Sequence, residues 1–99
     1  VSEAPDSIRL DKWLVHVRLF KTRGLAAERI EGGGVRVNGQ PSRKPGRSIR
    51  PGDEVTVSMQ GRVRALRMIA PGVRRGPASE AQTLYEDLTE PGPTDATED

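Results

Sequence analysis

FKTRGLAAERIEGGGVRVNG, residues 20–39, packs a helix start, a helix stop and a hairpin turn into twenty positions. Thr22 is a good N-cap, because its hydroxyl can accept from an orphan backbone N–H of the first turn. Arg23, Ala26, Ala27 and Ile30 then recur at helical spacing, and the small alanines allow a second helix to approach closely. Glycines 32–34 end the helix, since one of them can take the left-handed conformation without a Cβ clash. Val35 and Val37 alternate with Arg36 as in a half-buried strand, and Asn38-Gly39 is a hairpin-turn signal. A helix feeding directly into a hairpin predicts an α+β fold.

Upstream, Leu10, Trp13, Leu14 and Val17 fall at i, i+3, i+4 and i+7, one apolar stripe of a first helix. Arg9, Lys12 and His16 fall on a different face, and Asp6 or Ser7 is expected to cap this helix. Residues 18–21 connect the two helices. Downstream, residues 40–50 read as a basic loop or irregular edge, and Pro51-Gly52-Asp53 as a turn. Residues 54–58 and 62–69 read as two strands around Gln60-Gly61. In the second, Arg62 and Arg64 share a side with Leu66 and Met68, so the alternation is impure. Residues 71–77 form a Gly/Pro/Arg linker. Ser79 and Gln82 fit a capping box, and Ala81, Leu84, Tyr85 and Leu88 at helical spacing predict a docked helix over 80–89. The chain thus divides into a disordered head (1–7), a folded domain (8–70), a linker with a C-terminal helix (71–90) and an acidic disordered tail (91–99).

Composition narrows the function. A chain of 99 residues with three aromatic side chains, Trp13, Phe20 and Tyr85, builds a thin core. A catalytic cleft of ordinary size is hard to fit beside such a core. With no cysteine, disulfides, thiolate metal sites and cysteine nucleophiles are excluded, and a single histidine offers no transition-metal set. Asp53 and Glu54 adjoin a turn rather than forming an acid–base pair. The three glycines follow a helix rather than a strand and lack Gly-Lys-Ser/Thr, so they are no phosphate loop. No apolar run approaches a membrane span. Neither cofactor, metal, membrane nor small-molecule substrate is expected, and the chain is read as a non-enzymatic, cytoplasmic monomer.

Charge is distributed unevenly. All sixteen Lys and Arg residues lie between Arg9 and Arg75 against five acids, a net +11, while residues 77–99 carry seven acids and no base. A compact unit of that charge repels itself, and a polyanion partner explains the excess. The candidate contacts are Arg9, Lys12, His16, Arg18, Lys21, Arg23 and Arg29, joined by Arg36, Arg43, Lys44 and Arg47. Arginine meets phosphate oxygens with a planar fork, and the start of the second helix adds backbone N–H groups beside Lys21, Thr22 and Arg23. A solvated helix face normally interleaves Glu with Lys; the first helix offers only Asp11. RNA is favoured over DNA, because no helix carries a set of base-reading Asn, Gln and Arg residues, and RNA is often gripped through shape, phosphate and sugar. Trp13 sits on the apolar stripe and is read as core.

RLDKWLVHVRLFKTRGLAAERIEGGGVRVNGQ, residues 9–40, resembles the RNA-binding domain named after ribosomal protein S-four, the αL motif. With RGPASEAQTLYE further on, the chain is similar to the bacterial heat shock protein 15 family. The resemblance implies a helix pair packed on a small antiparallel sheet, plus a short C-terminal helix. It implies RNA contacts from Arg9, Lys12, Arg18, Lys21, Thr22, Arg23 and Arg29, with Asn38 shaping the strand turn. It also implies a role on ribosomal RNA of the large subunit, with tRNA as a further partner, in recycling of subunits stalled with a nascent chain under heat stress. The alternative is an RNA-binding accessory domain of an RNA-modifying enzyme such as a pseudouridine synthase. In the family a long basic extension follows the last helix, whereas residues 86–99 here are acidic.

Overall fold

The computed structural model describes residues 7–59 and 61–89. A two-residue strand β1 (Ile8–Arg9) leads into helix α1 (Leu10–His16), and helix α2 spans Arg23–Glu31. Strands β2 (Val35–Val37), β3 (Gln40–Pro41), β4 (Ser48–Ile49), β5 (Glu54–Met59) and β6 (Arg62–Met68) follow. A short helix α3 (Ala78–Ala81), a 3-10 turn over Gln82–Leu84 and strand β7 (Tyr85–Asp87) come last among the described residues. The main sheet has the order β3-β2-β5-β6-β7, every pair antiparallel, and β1 pairs with β4 in a separate ribbon.

Thr22 caps α2 as expected, its Oγ1 accepting from the Leu25 N–H at 3.1 Å. Gly33 ends the helix at φ +91°. Asn38 (φ 54°) and Gly39 (φ 82°) form the two-residue turn between β2 and β3, both left-handed as a type I′ hairpin needs. Pro41, which has no N–H for a ladder, lies in the edge strand. The apolar stripe of α1 is wholly buried at Leu10, Trp13, Leu14 and Val17, and meets Ala26 and Ile30 from α2. Both helices lie on the sheet face that carries Val35, Val37, Val55, Val57, Leu66 and Met68. On β6 the mixed side is explained. Leu66 and Met68 are buried under the helices, whereas Arg62 and Arg64 lie where the strand runs past the core.

Three local expectations are corrected. The N-cap position of α1 is Arg9, with no side-chain capping bond, and Asp6 lies outside the described residues. The segment before α1 instead pairs Ile8 with Ile49, a contact too distant in sequence to be read from a cap pattern. Nor is there a helix over 80–89. The helical turns stop at Leu84, and Tyr85–Asp87 becomes the strand that pairs with β6. A further helical turn would leave the backbone of β6 unpaired along that edge. The N-cap of α3 is Pro77 rather than Ser79. The predicted disorder of residues 1–6 and 91–99 falls outside the described residues.

The segment read as a linker, residues 71–77, is strapped to the helices together with Ala70. Trp13 Nε1 donates to the Ala70 carbonyl at 3.0 Å, and Arg18 donates to the Gly76 carbonyl at 2.7 Å. Arg75 Nε reaches the Phe20 carbonyl at 3.3 Å. His16 is buried, with Nδ1 3.0 Å from the Pro71 carbonyl oxygen, so the ring nitrogen donates there.

Candidate nucleic-acid interface

The cationic surface is organised around one carboxylate. Asp11 is only 2% exposed. Its two oxygens accept from Arg9 Nε at 3.1 Å and from Arg9 Nη2 at 3.0 Å, and Arg23 Nη2 lies 3.7 Å away. Thus Arg9, before α1, and Arg23, in the first turn of α2, are drawn to the same point. The basic loop joins them through its backbone, because the N–H groups of Leu10 and Asp11 donate to the carbonyls of Arg47 and Pro45 at 2.8 and 3.1 Å. Lys44 and Arg47 are therefore held beside the start of α1, and Arg9's guanidinium passes over Gly46, where a Cβ would lie 3.5 Å from its central carbon.

The glycine triplet has a second use at the other end of α2. A Cβ on Gly34 would collide with Cδ of Arg29, and one on Gly33 would come within 2.9 Å of a terminal nitrogen of Arg43. The missing side chains leave room for these two arginines to lie against the helix end, where a cation also meets the negative end of the helix dipole.

Among the described residues, four of the six ion pairs lie on the sheet and C-terminal side, although Arg62 and Arg75 there, and Arg18 after α1, have no carboxylate partner. Arg64, Arg67 and Arg74 on the sheet and C-terminal side pair with Asp87, with Glu54 and Glu86, and with Glu80. Lys12, Lys21, Arg29, Arg36, Arg43, Lys44, Arg47 and Arg50 have no carboxylate partner among the described residues, and all are exposed. The acids of the sheet side neutralise their own neighbours and leave the helix and loop cations available to an external anion.

Not every residue singled out from sequence lies on this surface as a free contact. His16 is taken into the core by Pro71, which removes it from the interface. The Thr22 hydroxyl is occupied by capping. The Asn38 amide donates to Asp53 at 3.2 Å and accepts from the Glu54 N–H at 2.9 Å, so it ties the hairpin to β5. Arg36 lies on the strand beside that hairpin, with Nη1 3.5 Å from the Gly39 carbonyl. Arg18 takes φ +69°, is tied to the Gly76 carbonyl and lines a separate hollow of about 350 Å³ with Leu19, Met59, Arg62 and Arg64. Arg62 and Arg64 are absent from the sequence-based set; the impure alternation of their strand was the available signal. Asp11 was visible only as the lone acid of a basic helix. Among the described residues no group of His, Cys, Asp and Glu side chains is placed to hold a metal, and no helix is long and apolar enough to cross a membrane.

Burial pushes the Asp11 carboxyl up, but hydrogen bonds from Arg9, the charges of Arg9 and Arg23 and the Lys12 backbone N–H outweigh it and hold the group below the usual carboxylate range. A carboxyl depressed in the folded state stabilises above its unfolded pKa, and this contribution is lost as pH falls through the folded value. The melting temperature should therefore fall on acidification below about pH 4, and the fall should be shallower in Asp11→Asn. Parallel slopes in thermal scans of the two proteins would contradict the pairing.

Comparison with known proteins places this geometry. The S4 domain family matches residues 8–55, the segment that holds Asp11, both helices and the basic loop. Heat shock protein 15 of Escherichia coli (strain K12) is 45% identical over 83 residues, covering 84% of this chain and 62% of that protein. The solved structure of Vibrio cholerae heat shock protein 15 superposes with a TM-score of 0.78 at 37% identity, over 84% of this chain and 83% of that one. The chain belongs to the heat shock protein 15 family. Its α+β fold, with two N-terminal helices on an antiparallel sheet and a short C-terminal helix, is that of the V. cholerae heat shock protein 15. That relative was solved as a trimer, against the monomer expected from sequence. A more distant relative, the "RQC P-site tRNA stabilizing factor" of Listeria innocua, is 43% identical over 51 residues, 52% of this chain and 54% of its own. The chain spans less than two thirds of the length of the E. coli heat shock protein 15 that it matches.

Proposed function

We propose that this chain is a non-catalytic RNA-binding protein that docks on ribosomal RNA of the large subunit and acts there, in the cytoplasm, in recycling subunits stalled with a nascent chain on tRNA during heat stress. The observation that carries the reading is the block of cations between Lys12 and Arg50 that find no carboxylate among the described residues, on a domain of the S4 family. Exposed arginine and lysine without internal partners are suited to neutralising phosphates. The name of the Listeria relative supports tRNA as a second contact. For assembly the reading follows the V. cholerae relative, a trimer. The relatives reported above carry a heat shock or tRNA-stabilising name rather than an enzyme's, which disfavours the accessory-domain alternative.

Co-sedimentation with separated ribosomal subunits at two salt concentrations tests this. Binding should favour the large subunit and weaken with salt, with a log–log slope of about −0.7 to −0.9 for each phosphate neutralised. Equal pelleting with both subunits would reduce the reading to generic polyanion affinity. Light scattering on the free protein reads the assembly state.

A further inference from the structure

We propose that Asp11 is a positioning residue of the RNA face: its buried carboxylate fixes the Arg9 and Arg23 guanidiniums in the orientation that receives phosphate. This rests on the RNA-binding reading above. The carboxylate side chain is 3% exposed, whereas those of Arg9 and Arg23 are 50% and 52% exposed, so the anion lies beneath and the two cations lie outward.

Donor arithmetic shows that the pairing does not exhaust the arginines. A guanidinium has five N–H groups. Arg9 gives two to Asp11, one from Nε and one from Nη2, and three are left. Arg23 stands at 3.7 Å, an ionic contact beyond hydrogen-bond distance, and keeps all five. The guanidinium of Arg9 lies close to the loop backbone at Gly46. The result is one fork hydrogen-bonded from within and a second drawn by charge to the same carboxylate, both free on the outside.

The advantage is preorganisation. Arginine is rich in rotamers, and ordering such a side chain at an interface costs binding free energy unless the fold has already ordered it. Simple electrostatics predicts the opposite role for an acid here. A negative charge under a phosphate site repels the ligand, so its removal should tighten binding. The two accounts differ in sign for the same substitution.

Asp11→Asn therefore decides, measured with purified large ribosomal subunits and with a short RNA duplex as the generic probe. If Asp11 positions the forks, affinity for the subunit falls about ten-fold although the protein gains a unit of positive charge, the size expected when two such side chains must be ordered on binding. The salt slope becomes shallower by the contribution of one or two phosphates. In an Arg9→Ala/Arg23→Ala background, Asp11→Asn should have no further effect on affinity. A purely structural role would not produce that dependence. Arg9→Lys keeps the charge and loses the planar fork, and should weaken binding in the same direction; it serves if Asp11→Asn unfolds. Unchanged or tighter binding in Asp11→Asn, or unchanged binding in Arg9→Lys, would overturn the proposal while leaving RNA binding by the wild type in place. Absence of wild-type binding to either probe would instead remove the RNA reading itself.

Discussion

Replacing Lys21 and Arg23 together with alanine is expected to weaken binding to large ribosomal subunits by about 100-fold, with the fold intact. Charge-assisted hydrogen bonds are each worth about 1.5–3 kcal/mol, so two lost phosphate contacts remove about 3 kcal/mol, or two decades of affinity. Both side chains are exposed and flank the start of α2. The cap of that helix is the Thr22 hydroxyl, which the double variant retains. Asp11 keeps both hydrogen bonds from Arg9, so its charge is not stranded when Arg23 is removed. Alanine is also at least as good a helix former as arginine at position 23. The melting temperature should accordingly move by only a few degrees, about what a change within 0.5 kcal/mol produces. Full affinity in a double variant that melts normally would show that RNA is gripped elsewhere, the Arg18, Arg62 and Arg64 hollow being the next surface to test.

Trp13→Ala should have the largest effect on stability. Trp13 is fully buried at the centre of the helix–sheet contact, and removing such a side chain costs about 3–5 kcal/mol. A domain of this size holds only about 5–10 kcal/mol in total. At roughly 4–8 °C per kcal/mol, the melting temperature should drop by about 12–40 °C. The substitution also takes away the indole N–H that holds the Ala70 carbonyl, the first of the contacts strapping residues 70–76 across α1 and the helix connection. Trp13→Phe separates the two effects. It retains most of the volume and leaves that carbonyl without its donor, a loss of about 1–3 kcal/mol. Circular-dichroism melts of the two variants check both steps, and a Trp13→Ala protein melting within a few degrees of wild type would mean that Trp13 is not at the centre of the core.

Local chemistry made the S4-type segment legible. The Thr22 cap, the glycine stop and the Asn38-Gly39 turn each close a hydrogen bond or require a backbone angle within a few residues. The α1 stripe was equally readable, because a helix repeats its buried face every three to four positions. The site was legible as composition: an excess of cations along residues 9–50. Its arrangement was not. No pattern announced that Asp11 would be buried, since one acid among bases reads as a solvated neighbour until Arg9 and Arg23 close over it. His16 looked like part of a basic face because its capture by Pro71 spans 55 positions.

The C-terminal segment shows the same division. Ala81, Leu84, Tyr85 and Leu88 satisfy a helical period, and a period is all that isolated sequence supplies. The edge of β6 decided otherwise, recruiting residues 85–87 into the sheet, where Leu66 faces Asp87 and Met68 faces Tyr85. By itself, then, the amino-acid order determined the helix pair, the hairpin, the core stripe and the excess of cations along residues 9–50. Tertiary structure alone decided which cations are neutralised, that a buried carboxylate lies beneath the two outward arginines and where the last strand pairs. The last strand, the pairs of Arg64 and Arg67 and the approach of Arg23 to Asp11 depend on contacts between residues far apart in the chain; the Arg9–Asp11 pair is local in sequence, but its burial is set by the packing around it.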